Sequence, residues 1–358
     1  MRHIKAPFTF QKQSMSLMTV FAEAVELAMA QPRVDLRPPG HIVLDPRDRG
    51  GRYAVWVRYG ADGKPNRTYV GAEGSEQHLA AMAALDELKR LKERAKTLRK
   101  LGFEAVEHDA ALVLGEMCNA GIFTGGGVLI GTRAFGSILN HLGYKATPFL
   151  STQDVDIARL KTIKLTTPMP PGGYAKMLGQ TGLRFLPVVG LERPPGPSTS
   201  YKVVGRDLKV DLLMPAAATA QPFVTRRVPE LDAHATTLPF LDYLIAESWS
   251  TVVIGRDHLI PVQCPQPARY CLHKLVVAAL RSGMENPKVE KDTIQAGILA
   301  AILTEEDSAS IEEAAAVLTP RIAKQAKKTL PRLEKILAGE YPAALELIQR
   351  LVLGRASP

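Results

Sequence analysis

The residues best suited to chemistry are two aspartates, Asp154 and Asp156, separated by one apolar residue in the run STQDVDIA. This alternation predicts a short strand, on which residues two apart point to the same face while Val155 points into the core. Two carboxylates this close repel each other, and a cation between them relieves the repulsion. Because oxygen ligands favour Mg²⁺ or Mn²⁺ over zinc, the pair predicts a divalent metal site.

A third carboxylate, Asp211, lies in the apolar run KVDLLM, which predicts a second strand. A lone aspartate among apolar residues needs a partner, because burying an unpaired charge is costly. If this strand lies beside that of Asp154, three carboxylates converge. Such a cluster is the usual means of holding two metal ions for phosphoryl or nucleotidyl transfer. Asp207 is the rival third carboxylate, but its Gly-Arg-Asp context indicates a turn.

The elements that must position these acids begin with the apolar run Val128–Ile130, followed by Gly131-Thr132. Apolar residues then recur at helical spacing, which predicts a helix beginning near Gly131. Backbone N–H groups at a helix start lack partners and attract anions, so this turn is a candidate phosphate seat. Thr132 can add a hydroxyl donor. Arg133 could neutralise a phosphate or could equally be a surface residue.

Two familiar nucleotide-binding motifs are excluded by the residues around this turn. No lysine follows Gly131 in the position that a P-loop requires. The glycines at 125–127 do not make a dinucleotide-binding motif either, because Ile130 stands where the third glycine belongs.

The combination of Gly131-Thr132, Asp154-x-Asp156 and a later strand aspartate at 211 resembles the nucleotidyltransferase superfamily typified by DNA polymerase beta. The amino-acid sequence over 124–157 is most similar to bacterial nucleotidyltransferase-like proteins. It is more distantly similar to the abortive-infection nucleotidyltransferase toxins, which would imply a toxin role. The resemblance covers roughly residues 120–215, with a weaker part over 265–300.

The resemblance implies that Asp154, Asp156 and Asp211 are catalytic and hold Mg²⁺ or Mn²⁺, and that an NTP is the substrate. Its triphosphate would lie near Gly131, Thr132 and Lys274, a residue of a helix predicted to begin at Pro267. Arg133 beside Thr132, and Arg281 seven residues after Lys274 and close to the same helix face, are further nucleotide-binding candidates. From the residues alone, Lys274 is a charge on an apolar helix that must find a partner. Lys288, Lys291 and Asp292 are similar to a Lys-Asp element of the toxins, although Arg281, Lys288 and Lys291 could instead form a solvated turn.

Composition indicates an ordinary globular protein of two or three domains, with 358 residues, 46% hydrophobic and 23% charged. We predict an α+β fold: a small mixed nucleotidyltransferase sheet with flanking helices, an N-terminal hairpin-plus-helix region and a C-terminal helical domain. The expected domains are 1–103 (helix, β-hairpin and basic helix), 104–264 (catalytic) and 265–358 (helical).

Before the first aspartate, a helix is predicted over about 14–30, a loop over 35–50, and a hairpin over 52–70. A long helix over 75–101 follows, and its second half, Lys89–Lys100, holds seven basic residues and one acid. Such a helix can lie along a phosphate backbone, or it can be a solvated face with Leu91 and Leu98 touching the core. The net charge of +9 favours a polyanionic partner such as RNA, although a basic surface alone would also explain it.

The three cysteines, Cys118, Cys264 and Cys271, have neither disulfide-framework nor zinc-site spacing, which favours a reducing cytoplasm. No apolar run is long enough to cross a membrane.

The carboxylate pattern and the resemblance together imply a metal-dependent nucleotidyltransferase that moves an NMP from an NTP to an acceptor hydroxyl and releases pyrophosphate. RNA is the expected acceptor, with tRNA first because of the resemblance to the toxins. Transfer to a protein or small-molecule hydroxyl stays open. A non-catalytic nucleic-acid-binding or regulatory module on the same fold is the alternative from another class, and a ribonuclease or phosphatase is a third.

Overall fold

The computed structural model describes residues 6–47, 50–60, 63–147, 154–160, 162–165, 168–188, 196–217, 221–281 and 287–356.

The strands of this described part are β1 (Thr9–Lys12), β2 (His41–Pro46), β3 (Arg52–Tyr59), β4 (Pro65–Ala72), β5 (Gly127–Ile130), β6 (Tyr144–Thr147), β7 (Asp154–Arg159), β8 (Phe185–Pro187), β9 (Ser200–Val203), β10 (Lys209–Pro215), β11 (Thr225–Val228), β12 (Ala233–Leu238), β13 (Ser248–Ile254) and β14 (Leu259–Pro265).

The helices are α1 (Met15–Ala30), α2 (Glu76–Lys100), α3 (His108–Asn119), α4 (Gly131–Leu142), α5 (Gly173–Gly179), α6 (Leu241–Ile245), α7 (Pro267–Arg281), α8 (Pro287–Glu306), α9 (Ser308–Ala316), α10 (Pro320–Lys327), α11 (Leu330–Leu337) and α12 (Pro342–Ala356), with a 3₁₀ turn at Pro229–Leu231.

The chain divides into two compact units. The large unit comprises Met1–Ser14, Ala120–Thr251 and Val262–Pro358, and the small unit comprises Met15–Asn119 and Val252–Pro261.

The main sheet of the large unit has the strand order β11-β12-β10-β7-β5, and β9 and β8 extend it beside β10. The pairs β7–β10 and β10–β12 are parallel, whereas β5–β7, β9–β10 and β11–β12 are antiparallel. The sheet is therefore mixed, as predicted. Alternation sets its buried face: Val155, Ile157 and Val210 are fully buried, while the aspartates between them are not.

Helix α4 packs against β5 and β7. Its apolar residues recur at helical spacing, and Phe135, Ile138 and Leu139 are fully buried. Gly143 ends the helix in the left-handed conformation, which glycine adopts without steric cost. The predicted strand–turn–helix unit is thus confirmed over residues 127–142.

Helices account for the chain beyond residue 265 where the structure describes it, as predicted, and α7 begins at Pro267. The pair α7–α8 forms the largest helix–helix contact of the large unit. Pro267 suits the first turn of a helix because its missing N–H would have had no intrahelical partner.

In the small unit, β2, β3 and β4 form an antiparallel sheet, and α2 packs against β4 and α1. The core joins α1 and α2 through apolar side chains that include Phe21, Leu91 and Leu98, and the Phe21 ring stacks on Phe103 with their centroids 5.2 Å apart. The predicted hairpin over 52–70 is confirmed.

The predicted loop over 35–50 is wrong for part of its length, because His41–Pro46 forms β2 and pairs with β3 along six residues. The flanking prolines and glycines indicate turns correctly. They hide a short apolar centre, Ile42–Leu44, which pairing with β3 makes into a strand.

The α+β class is confirmed by this mixture of sheets and helices. The expected domain boundaries after residues 103 and 264 stay predictions.

None of the described helices is both long and apolar enough to pass through a membrane.

Candidate active site

Three carboxylates meet on one face of the main sheet. Asp154 and Asp156 are alternate residues of β7, and Asp211 on the parallel neighbour β10 is in register with Asp156. Paired residues on adjacent strands point to the same side, so the three side chains share a face. The structure therefore brings together the three acids that the sequence singled out.

Asp207, the rival third acid, lies apart from them in the turn between β9 and β10. Its side chain is 82% exposed and faces Lys202 at 3.7 Å.

Position 131 requires a glycine because of its backbone angle and its closeness to Asp156. Its φ of +71° lies in the left-handed region, and a Cβ built on it would stand 2.3 Å from Asp156 Oδ2. The register between Ile130 and Asp156 on β5 and β7 produces this approach. Only glycine satisfies both the backbone angle and the contact. The first residue of α4 is therefore held against a catalytic candidate.

The electrostatics of the cluster act mainly on Asp156. Burial, and then the negative charges of Asp211 and Asp154, raise the pKa of the Asp156 carboxyl to about 6. The charge of Lys274 opposes this rise. The site therefore holds negative charge under repulsion, a state that a cation would relieve.

Asp211 has two partners that sequence reasoning missed. Lys209 Nζ lies 2.8 Å from its Oδ2, and the Ser200 hydroxyl donates to its Oδ1. Burial alone would lower the pKa of Lys209, but the hydrogen bond and charge of Asp211 raise it instead. Strand alternation could have indicated Lys209, which stands two residues before Asp211; nothing in the sequence indicated Ser200.

The start of α4 carries Thr132 and Arg133, both buried. Burial excludes the surface-residue alternative for Arg133. The Thr132 hydroxyl accepts a hydrogen bond from Lys291 Nζ at 3.1 Å. The first N–H groups of a helix lack intrahelical partners. Together with the Thr132 hydroxyl and the Lys291 ammonium group, they form a candidate binding site for an anion.

Helices α7 and α8 contribute a charged cluster around Asp292, whose side chain is completely buried. Lys274 Nζ lies 2.7 Å from Asp292 Oδ1, and Arg281 pairs with Oδ2. Asp292 is thus the partner that Lys274 required. Two cations share one carboxylate, which leaves a net positive charge at this end of α7.

Tyr270 links this cluster to the start of α4. Its hydroxyl donates to the Gly131 carbonyl oxygen at 2.8 Å, and Lys274 Nζ lies 5.2 Å from the centre of its ring. The sequence analysis did not single out Tyr270, although it stands four residues before Lys274 and hence on the same helix face. The nucleotide-binding candidates on α4 and α7 are therefore neighbours.

The solvated-turn alternative is wrong for Lys291, which is half-buried in the first turns of α8. Burial, and then the charge of Lys274, lower the pKa of Lys291 to about 8. Arg281 is 40% exposed at the end of α7, and Lys288 is exposed.

The carboxylate cluster offers oxygen donors to a metal ion. Carboxylate oxygens on adjacent strands, with a raised pKa at Asp156, suit a hard divalent cation such as Mg²⁺ or Mn²⁺. In the described part of the chain, no three His, Cys, Asp or Glu side chains already stand in metal-holding geometry. Asp211 is instead paired with Lys209.

A family model described as Nucleotidyltransferase matches residues 108–319, which is more than half of the chain and includes every candidate side chain named above. Neither the curated proteins nor the solved structures gave a match.

Proposed function

The chain belongs to the nucleotidyltransferase family, and on this premise we propose that it transfers a nucleoside monophosphate from an NTP to an acceptor hydroxyl and releases pyrophosphate. The observation that carries the proposal is the in-register pair of Asp156 and Asp211, with Asp154 on the same face and Gly131 in contact with Asp156. This arrangement supports a site in which acidic metal ligands lie beside a phosphate-binding turn.

Asp154, Asp156 and Asp211 would hold Mg²⁺ or Mn²⁺. When bound, the metal lowers the pKa of the acceptor hydroxyl and offsets charge on the reacting phosphate. The pair of carboxylates on β7 and the single one on β10 supply oxygen donors alone, which is the ligand type these ions prefer.

The triphosphate is held by groups at the junction of α4, α7 and α8. The N–H groups after Gly131 and the Thr132 hydroxyl donate to phosphate oxygens, and Lys291, already bonded to that hydroxyl, adds a positive charge. Lys274 and Arg281 supply further charge, with Asp292 fixing their positions. Arg133, buried in the first turn of α4, supports the same anionic ligand.

In the transfer step, the acceptor oxygen forms a bond to the α-phosphorus and the bond to the β-phosphate bridging oxygen breaks. Asp211 accepts the proton of the acceptor hydroxyl. Lys209 Nζ, 2.8 Å from Asp211 Oδ2, holds that carboxylate in position. The cations around Thr132 stabilise the charge that develops on the leaving pyrophosphate.

We take RNA as the acceptor, with tRNA first. The support is a net charge of +9 and the exposed cations of α2, among them Lys89, Arg90 and Lys100. Lys92 is excluded from this role because only 4% of it is exposed. All three cysteines are free thiols, which is compatible with a reducing cytoplasm.

Thermal stability measured with MnCl₂ and each NTP tests the proposal. If the active site binds metal and nucleotide, the two together raise the stability of the protein, because only the folded state binds them. We expect the midpoint to rise with MnCl₂ plus ATP or another NTP, and this rise to vanish in Asp154→Ala/Asp156→Ala. A protein stabilised by RNA but by no NTP would be a non-catalytic binding module instead. Release of phosphate or RNA cleavage without NTP would indicate a phosphatase or a ribonuclease.

A further inference from the structure

The small unit contains an open cleft of about 650 Å³. Four of its lining residues are cations, namely Lys96, Arg99, Lys100 and Arg256. His108 and Asp257 complete the lining. Three elements supply these residues, namely the end of α2, the start of α3, and the turn between β13 and β14. The cleft is therefore assembled by the fold and is not a feature of the basic helix alone.

Asp257 is the one acid in the lining of the cleft, and the buried Lys92 offsets its negative charge. Asp257 Oδ2 lies 3.7 Å from Lys92 Nζ, and Asp257 Oδ1 lies 3.0 Å from His258 Nδ1. Lys92 and His258 are both buried, and their side chains meet at 3.1 Å. Lys96 is paired with Glu93 at 2.6 Å. With Asp257 engaged by Lys92, the charges of Arg99, Lys100 and Arg256 still leave the cleft with a positive potential.

Cations at the end of a helix also offset the negative end of its dipole, which would be a purely structural reason for Arg99 and Lys100. That reason does not apply to Arg256, which belongs to a different element. Within the described residues, neither Lys100 nor Arg256 forms an ion pair with an acid. Both side chains are exposed, so their charges are available to a ligand.

The walls of the cleft are fixed. Arg99 Nη1 donates to the Arg256 carbonyl oxygen at 2.9 Å, which ties the turn to the end of α2. The Val106 N–H donates to the Ile254 carbonyl oxygen at 2.8 Å, which ties the approach to α3 to β13. A cleft whose walls are held in this way loses little backbone freedom on binding an anion.

We propose that this cleft binds the phosphodiester backbone of the RNA acceptor, through Lys96, Arg99, Lys100 and Arg256. The inference rests on the proposed function for the identity of the polyanion. A chain is favoured over a small phosphate because the cleft is open and because exposed cations continue along α2 to Lys89 and Arg90. Acceptor binding and nucleotide transfer are thereby assigned to different units of the chain.

Fluorescence anisotropy of fluorescein-labelled tRNA, titrated with the full-length protein at several salt concentrations, tests the proposal. Lys100→Ala/Arg256→Ala is expected to weaken binding about tenfold and to lower the slope of log K against log salt by about 1.4. The matched control is Lys324→Ala/Lys327→Ala, which removes the same charge from exposed side chains of α10, outside the cleft. It is expected to bind tRNA within about twofold of the parent.

Equal losses in the two double variants would overturn the proposal in favour of a general attraction of RNA to the basic surface of the protein. Displacement of the tRNA by ATP or inorganic phosphate at matched ionic strength would assign the cleft to small phosphates instead. The thermal shift produced by MnCl₂ and ATP, which depends on the large unit, serves as the internal control. If that shift is intact while the parent protein binds no tRNA, the cleft assignment fails and the nucleotidyltransferase proposal stands.

Discussion

Asp156 on β7 and Asp211 on β10 are in register on adjacent parallel strands, and each repels the other. A folded protein holds two carboxylates in this relationship only at a cost in stability. The same relationship makes oxygen donors available to a cation. The consequences for stability, nucleotide binding and pH dependence can each be measured.

In a metal-free buffer containing EDTA, Asp156→Asn should stabilise the protein at pH 7. The folded-state pKa of about 6 lies above the ordinary value of 3.8, so the unfolded state ionises first as the pH rises. The folded state therefore loses stability between about pH 4 and pH 6, and the loss persists above. We expect a gain of about 1–3 kcal/mol at pH 7 and none near pH 4 in urea unfolding.

Asp207→Asn is the control for this comparison, because its side chain lies in an exposed turn. It should change stability by less than about 0.5 kcal/mol at either pH. A stabilisation by Asp156→Asn that is the same at pH 4 and pH 7 would contradict the repulsion account.

Gly131→Ala should abolish nucleotide transfer, because the new Cβ would meet Asp156 Oδ2 at 2.3 Å and displace that carboxylate or the start of α4. Gly182→Ala is the matched control: its φ of +77° imposes a similar strain of about 1 kcal/mol, but no atom lies within 4 Å of the added Cβ. Steady-state transfer rates and thermal midpoints measured together separate the two effects. Equal activity in the two variants would show that the contact with Asp156 is unimportant.

Lys274→Gln should raise the dissociation constant for ATP, measured by calorimetry with MnCl₂, by about tenfold or more. It should also destabilise the fold by about 3 kcal/mol, since the buried Asp292 loses one of its two partners. Arg269→Gln removes another buried cation of α7, one paired with Glu247. That control should lower stability without weakening ATP binding, and Lys274→Arg should restore part of the affinity. Unchanged ATP affinity in Lys274→Gln would restrict Lys274 to a structural role.

The activity should fall as the pH rises through about 8. Lys291 has its pKa lowered to about 8, so its ammonium group is lost in that range and Thr132 loses a charged neighbour. The kcat/KM for NTP reports groups of the free enzyme, and its alkaline limb should therefore lie near pH 8. Lys291→Arg should remove the limb, whereas Lys288→Ala, an exposed lysine of the same helix, should leave it in place. A limb that persists in Lys291→Arg would assign it to another group.

Local patterns were sufficient to predict the elements that carry the site. Alternation around Val155 indicated β7, helical spacing after Gly131 indicated α4, and Pro267 marked the start of α7. The convergence of Asp211 on the first two acids followed from the cost of a lone charge in an apolar strand. The parallel pairing of β7 with β10 confirms that neighbourhood.

The features that could not be predicted from the sequence depend on contacts between residues far apart in the chain. The basic helix contains Lys92, which the fold buries against His258 and Asp257, 166 and 165 positions away. Periodicity describes one helix face and carries no information on such partners. The same limitation applies to Ser200 at Asp211. Strand β2 was missed because pairing with β3, and not its own composition, makes those residues a strand.

The most direct test of nucleotidyl transfer is incubation of the protein with each of the four α-³²P-labelled NTPs and total RNA, with Mg²⁺ and with Mn²⁺. Asp154→Ala/Asp156→Ala is run in parallel as the control for the carboxylate cluster. We expect labelled RNA, concentrated in the tRNA bands, that is lost in the double variant. Label transferred equally by the parent and by the double variant would contradict the assignment of the carboxylates. So would the absence of labelled product with RNA, protein and small-molecule hydroxyl acceptors alike.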